Sequence, residues 1–142
     1  MIRELGAGET HLAYAAMLEL RPHIGSSAEF VRRVDDVQRP AGYRLVASFD
    51  DDEQAAGAAG FRVLDYLAWG HAMYCDDLST RAAFRGRGHA GGLVDWMLEE
   101  ARRLGCDEFH LDSGVQAERT TAHRLYLNKG MRISSHHFSR DV

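Results

Sequence analysis

The chain has 142 residues, 17 Lys plus Arg against 21 Asp plus Glu, a formal net charge of −4, and 45% hydrophobic residues. That fits one globular domain, 1–142, able to bury a core away from water, and it argues against nucleic acid as the main partner. Two cysteines make no disulfide framework or zinc motif, and MIRELGAGET lacks an apolar signal core. No stretch nears the ~20 residues that span a bilayer, so a reducing cytoplasm and no membrane partner are expected.

Residues 2–5 read as a first strand. From Thr10 to Arg21, Leu12, Ala15, Ala16 and Leu20 recur at helical spacing until Pro22 stops them. Ser26 with Glu29 is a capping box that opens a second helix carrying Phe30, Val34 and Val37 on one face. The stretch 43–49 alternates Leu45, Ala47 and Phe49 against Arg44, Val46 and Ser48, as a half-buried strand does. The acidic run Asp50–Glu53 reads as a solvated hairpin tip, because consecutive carboxylates diverge. Strands over 57–69 and 72–80, joined by the turn Gly70–His71, complete an antiparallel meander.

After Arg85-Gly86-Arg87-Gly88 comes the clearest helix. Ala90, Leu93, Val94, Met97, Leu98 and Ala101 line one face, Asp95, Glu99, Arg102 and Arg103 the other, and Gly105 stands at its C′ position. A strand over 107–112, a short helix over 122–128 ending at Gly130, and a strand over 131–139 follow. The order β-α-α-β-β-β-α-β-α-β describes an α/β, α+β layered domain around a mixed sheet.

A strand that runs through a glycine-rich turn into an amphipathic helix suits phosphate. First-turn amides lack intrahelical partners, the helix dipole favours negative charge there, and glycines let the backbone come close. Arg85 and Arg87 offer charge-assisted contacts; the plain alternative is a structural turn with solvated arginines. Gly86-x-Gly88-x-x-Gly91 also spells the dinucleotide fingerprint, with Asp112 near its acidic offset. The context is wrong for that reading. Some 85 residues precede the match, too little chain follows for a doubly wound sheet, and DDLSTRAAF is too polar for a central parallel strand.

Arg85-x-x-Gly88-x-Ala90 resembles the Gln/Arg-x-x-Gly-x-Gly/Ala pyrophosphate loop of the GNAT-superfamily N-acetyltransferases. Leu78-Ser79-Thr80 stands where that family ends its fourth strand, and Ala122-x-x-x-Tyr126-x-x-x-Gly130-Met131 is similar to its A-x-x-x-Y-x-x-x-G-F segment. The resemblance spans the chain. It implies a mixed, mostly antiparallel central sheet flanked by helices and one N-acetyltransferase domain over 1–142. It further implies acetyl-CoA as co-substrate, with the backbone of Leu78, Ser79 and Thr80 against the pantetheine arm. The amides of Gly86, Arg87, Gly88, His89, Ala90 and Gly91 would hold the pyrophosphate.

The implied reaction is direct attack of a primary amine, small molecule or peptide, on the thioester. A phenol of reference pKa near 10 suits protonation of a departing thiolate, so Tyr126 is the expected general acid rather than a core aromatic. The amine must also lose a proton. Asp77 and Asp112 are the candidate bases, which the sequence does not separate, and Asp76 lies on the opposite face from Asp77 under strand alternation. His71, His110, His123, His136 and His137 form no recognised metal set, and no metal is expected. Three features depart from the family: Arg119 or Thr120 stands where many relatives have an asparagine, Met131 replaces phenylalanine, and Leu111–Gln116 is a longer turn. A catalytically silent CoA-binding module is the second reading. Oligomeric state stays open, homodimers being common among proteins that resemble this one.

Overall fold

A computed structural model describes residues 1–51 and 53–142. Asp52, inside the expected acidic hairpin tip, lies outside the described residues. Contacts divide the chain into two units, Met1–His110 and Leu111–Val142.

The first unit is three layers around a sheet of order β1-β2-β3-β4-β5. Strands β1 (Ile2–Leu5), β2 (Arg44–Ser48), β3 (Gly57–Tyr66) and β4 (Gly70–Thr80) pair antiparallel in succession. Strand β5 (Glu108–Leu111) begins beside the start of β4, where the Asp107 amide donates to the His71 carbonyl at 2.7 Å. One face is covered by α1 (Tyr14–Leu20), α2 (Ser27–Arg32) and the helical stretch after it, which seat Ala16 and Met17, Phe30, and Val34 respectively against Leu5, Leu45, Ala47 and Ala58. The other face takes α3 (His89–Arg103) through Leu93, Val94, Met97 and Ala101.

Local chemistry explains the boundaries. Ser26 and Glu29 make both bonds of the capping box. Pro22 forces Arg21 out of helical geometry (φ −124°, ψ 75°), which ends α1. Beyond α2 the chain continues as a π-helical stretch over Arg33–Gln38 and a short 3₁₀ turn. Gly105 closes α3 in the left-handed region at φ 71°. Strand β2 differs from the expected half-buried pattern: Leu45 through Ser48 are all buried, because helices cover both faces.

Glu100 on α3 ties the layers electrostatically. It accepts from Arg44 of β2 at 2.7 Å and from Arg103 at 2.7 Å, while Arg44 also forks onto Glu4 of β1. The Arg103 guanidinium first, then Arg44, holds this carboxyl at a pKa of about 2 against the opposing cost of burial. A depressed folded-state value stabilises the fold above the ordinary 4.5, and that contribution is lost as pH falls through about 2. Glu100→Ala is therefore expected to cost about 3 kcal/mol in urea denaturation at pH 7. Its stability is expected to fall less steeply than the wild type's between pH 4.5 and 2; parallel pH profiles would refute this.

The second unit holds α4 (Thr120–Asn128), preceded by a 3₁₀ turn at Ala117–Arg119. The strand expected over 131–139 does not form. Residues 131–142 have no regular structure, with Ile133 81% and Phe138 92% exposed. Besides these two the segment has only Met131 and the exposed terminal Val142 as apolar side chains, so burial does little to repay the ordering of a strand. No helix among the described residues is long and apolar enough to cross a membrane.

Candidate active site

The last third of β4 and the turn into α3 carry the expected site residues of the first unit. The β3–β4 ladder pairs Gly60 with Asp77 and then Phe61 with Cys75, so Asp76 is the extra residue of a β-bulge. Asp76 takes the Arg62 fork at 2.9 and 2.7 Å. Asp77 accepts from the Tyr43 hydroxyl at 2.9 Å and from Arg21 Nε at 3.0 Å, and Arg21 also reaches the Asp76 carbonyl at 3.2 Å. Tyr43 is buried, which with the Asp77 charge pushes its pKa well above the ordinary 10 and keeps it a donor. Its phenol crosses β3 at Gly60, where any Cβ would overlap the ring. Neighbouring Cys75 is no nucleophile: burial pushes its thiol up to about 12.

Helix α1 is stitched to the segment that follows. Ser79 Oγ donates to the Ala16 carbonyl at 2.7 Å, and Glu19 accepts from the Ala82 amide at 2.7 Å. With Arg21 on Asp77, three anchors fix the end of β4 and the turn that follows it. Strand β3 pairs one edge of Leu78–Thr80 through Ala59, Ala58 and Gly57. On the other side β5 has only 4 residues beside the 11 of β4 and starts level with His71, so it does not reach Leu78. That length of β4 presents backbone donors and acceptors that β5 leaves unused, as an edge strand does.

The loop then turns on two glycines with positive φ, Gly86 at 77° and Gly88 at 85°, and Gly88 is the N-cap of α3. The first helical bond runs from the Gly92 amide to the Gly88 carbonyl at 2.9 Å. The amides of His89, Ala90 and Gly91 are thus the first-turn donors without intrahelical partners. Arg85 is exposed. Arg87, expected to reach a phosphate, instead pairs with Asp50 at 2.7 Å and lies over the Phe84 ring at 5.2 Å. The ring of His89 is fixed through Nδ1 to Ser48 Oγ at 2.7 Å, its side chain only 9% exposed. Its Nε2 stands 4.0 Å from Asp50 without a hydrogen-bond partner among the described residues.

In the second unit, Tyr126 sits half-buried on α4, and its carbonyl accepts from Met131 at 3.0 Å as Gly130 turns the chain at φ 82°. Thr120 spends its hydroxyl on the Ala117 carbonyl at 2.7 Å, so it does not offer what an asparagine there would. His123 holds the longer preceding turn through the Gly114 carbonyl at 2.8 Å. Asp112 lies 3.5 Å from His137 Nδ1 and is half exposed.

Sequence reasoning missed Tyr43, Arg21, Ser48 and Asp50. Each reaches its partner across 34 to 56 positions of chain, and no local spacing marks such pairs. The small residues Gly57–Gly60 were the one available signal of a close crossing.

A model of the Acetyltransferase (GNAT) family matches residues 11–131. An uncharacterised N-acetyltransferase of Bacillus subtilis is 28% identical over 131 residues, covering 92% of this chain and 89% of that protein. The fold is similar to that of a ribosomal-protein-alanine N-acetyltransferase of Brucella melitensis, with TM-score 0.83, 15% identity, and 100% and 99% of the two chains covered. It is also similar to that of an aminoglycoside N-acetyltransferase in complex with CoA, with TM-score 0.81, 17% identity, and 99% and 93% covered.

Proposed function

Since the chain belongs to the acetyltransferase (GNAT) family and is an acyltransferase by that membership, we propose that it moves the acetyl group of acetyl-CoA to a primary amine by direct attack. One observation carries the donor reading: a β4 edge that β5 leaves unused runs straight into a glycine turn whose first helical amides lack partners. These features fit a CoA thioester, an extended amide-bearing arm followed by a pyrophosphate. The donor, when bound, supplies an activated acyl carbon and a thiolate leaving group.

The residues divide the work. The backbone of Leu78, Ser79 and Thr80 holds the arm, and the Leu78 amide polarises the thioester oxygen. The amides of Gly86 through Gly91 hold the pyrophosphate. As nitrogen bonds to the carbonyl carbon and the C–S bond breaks, Tyr126 gives its proton to sulfur and the amine proton leaves to a base. Holding both reactants in register supplies several kcal/mol by itself.

Asp77 and Asp112 remain the candidate bases; each Asp77 oxygen already accepts one hydrogen bond, from Arg21 or Tyr43, and keeps a lone pair for the proton that the amine loses, directly or through a water. The acceptor is a small molecule or a peptide. Asp76 and Asp77 are each matched by an arginine, so the bulge selects no cation by net charge. We further propose that 1–142 acts as one acetyltransferase domain, in the cytoplasm, as a monomer or a homodimer. The free thiols of Cys75 and Cys106 support a reducing location.

Thermal shift separates the donors. Acetyl-CoA and CoA are expected to raise the melting temperature, by about 4 °C or more at a hundredfold excess over Kd, while NAD leaves it unchanged. Thiol release with a panel of primary amines is then expected for at least one acceptor. Stabilisation by NAD alone would sink the reading, and CoA binding without turnover on any amine would leave a silent binding module in its place.

A further inference from the structure

Among the described residues, four buried side-chain atoms have no hydrogen-bond partner: Thr80 Oγ1, Arg81 Nη1, His89 Nε2 and His110 Nε2. Three of them belong to the short run from the end of β4 into α3. Buried polar atoms are nearly always paired, and a guanidinium nitrogen is the costliest to leave alone, because part of a charge is withdrawn from water. The backbone of Arg81 is satisfied: its amide donates to Ala56 at 2.8 Å and its carbonyl accepts from Phe84 at 2.9 Å. Only its side chain lacks a counterpart.

The surroundings sharpen this. The Arg81 guanidinium lies 4.9 Å from the centroid of Phe84, and Arg87 lies 5.2 Å from the same centroid. Two cations thus share one ring, and His89 meets its edge at 6.2 Å. Arg87 is neutralised by Asp50. Glu19 comes to the residue beside Arg81 yet spends its carboxylate on the Ala82 amide. The charge of Arg81 has no carboxylate among the described residues, and it stands between the strand end and the glycine loop.

We propose that Arg81 is a ligand for a phosphoryl group of the thioester donor, a side-chain anchor next to the amide loop. This rests on the donor reading above. A planar guanidinium braced by a phenyl ring matches phosphoryl oxygens in charge and in fork geometry, with little motion left to freeze on binding. CoA offers that chemistry twice, in its pyrophosphate and in its ribose 3′-phosphate.

Isothermal titration of CoA and 3′-dephospho-CoA against the full chain, Arg81→Gln and Arg81→Lys tests it, with melting curves of the free proteins. Arg81→Gln is expected to raise the CoA Kd about thirtyfold, and Arg81→Lys to recover part of that. Free Arg81→Gln is expected to melt at or above the wild-type temperature, because a cation with a buried, unpaired nitrogen is gone. An equal loss with both nucleotides supports the proposal and identifies the pyrophosphate; a loss confined to CoA supports it and identifies the 3′-phosphate. A wild-type Kd in both variants overturns it, above all if melting falls instead, the mark of a structural role. Should Arg81→Gln not fold, Arg81→Lys carries the comparison, with a wild-type Kd again the overturning result. A wild-type protein that binds neither nucleotide sinks the donor reading first and this proposal with it.

Discussion

Tyr126→Phe is expected to lower kcat about a hundredfold while leaving the KM for acetyl-CoA within about threefold. The substitution removes one oxygen and keeps the ring, so packing on α4 is nearly unchanged. What disappears is a proton donor matched in basicity to an alkyl thiolate. The defect should therefore depend on the leaving group. With an acetyl aryl thioester, whose thiolate departs without protonation, the variant is expected to approach the wild-type rate. Two results would reject the assignment: unchanged kcat with the natural donor, or an equal deficit with both donors. The second would make the phenol a positioning group.

Gly60→Val is expected to abolish the native fold, and Gly60→Ala to cost about 3 kcal/mol in urea denaturation. The cause is the Tyr43 phenol, whose ring atoms and hydroxyl occupy the volume a Cβ would take. Because ring carbons overlap as well as the oxygen, Tyr43→Phe should give no rescue. Tyr43→Ala should: with the ring gone, Gly60→Ala is expected to cost under about 1 kcal/mol more, so the double-mutant cycle is strongly non-additive. Simple additivity would show that the strain lies elsewhere. Activity should suffer along with stability, since the same phenol donates to Asp77 at 2.9 Å.

What the sequence revealed and what it concealed follow from the range of the interactions. The α3 face of Leu93, Val94, Met97 and Ala101 repeats every turn against one sheet, so its period is visible in fifteen residues. The Ser26–Glu29 box closes within four residues, and Gly105 and Gly130 end their helices for backbone reasons that hold anywhere. The β3–β4 hairpin was legible because its turn is short, although the turn lies at 67–69 and Gly70 and His71 already belong to β4. The bulge at Asp76 was not, because one inserted residue shifts side chains without changing composition, and only the ladder reveals it. Nor was the pairing of Arg87 with Asp50, or of His89 with Ser48, since both are decided by where β2 ends relative to α3. The β2 pattern misled for a related reason: alternation predicts one wet face, and a second helical layer removed it. The strand expected over 131–139 has only Met131, Ile133 and Phe138 as apolar side chains, and the last two stay exposed, too little burial to hold an extended segment.

The three anchors that tie α1 and its C-cap Arg21 to β4 and the turn after it have a thermodynamic consequence. Ala16, Glu19 and Arg21 fix Ser79, Ala82 and Asp77 through side chains that are ordered as the chain folds. If this strand takes the donor as proposed, the freedom that a loosely held one would surrender at each encounter with ligand has already been surrendered once, during folding. Affinity then falls on the ligand's own contacts, with little deducted for arranging the protein. On the proposed reading, in which Leu78–Thr80 takes the donor, a force that lifts α1 would also disturb that grip, and by linkage a bound donor would hold α1 down by the same free energy.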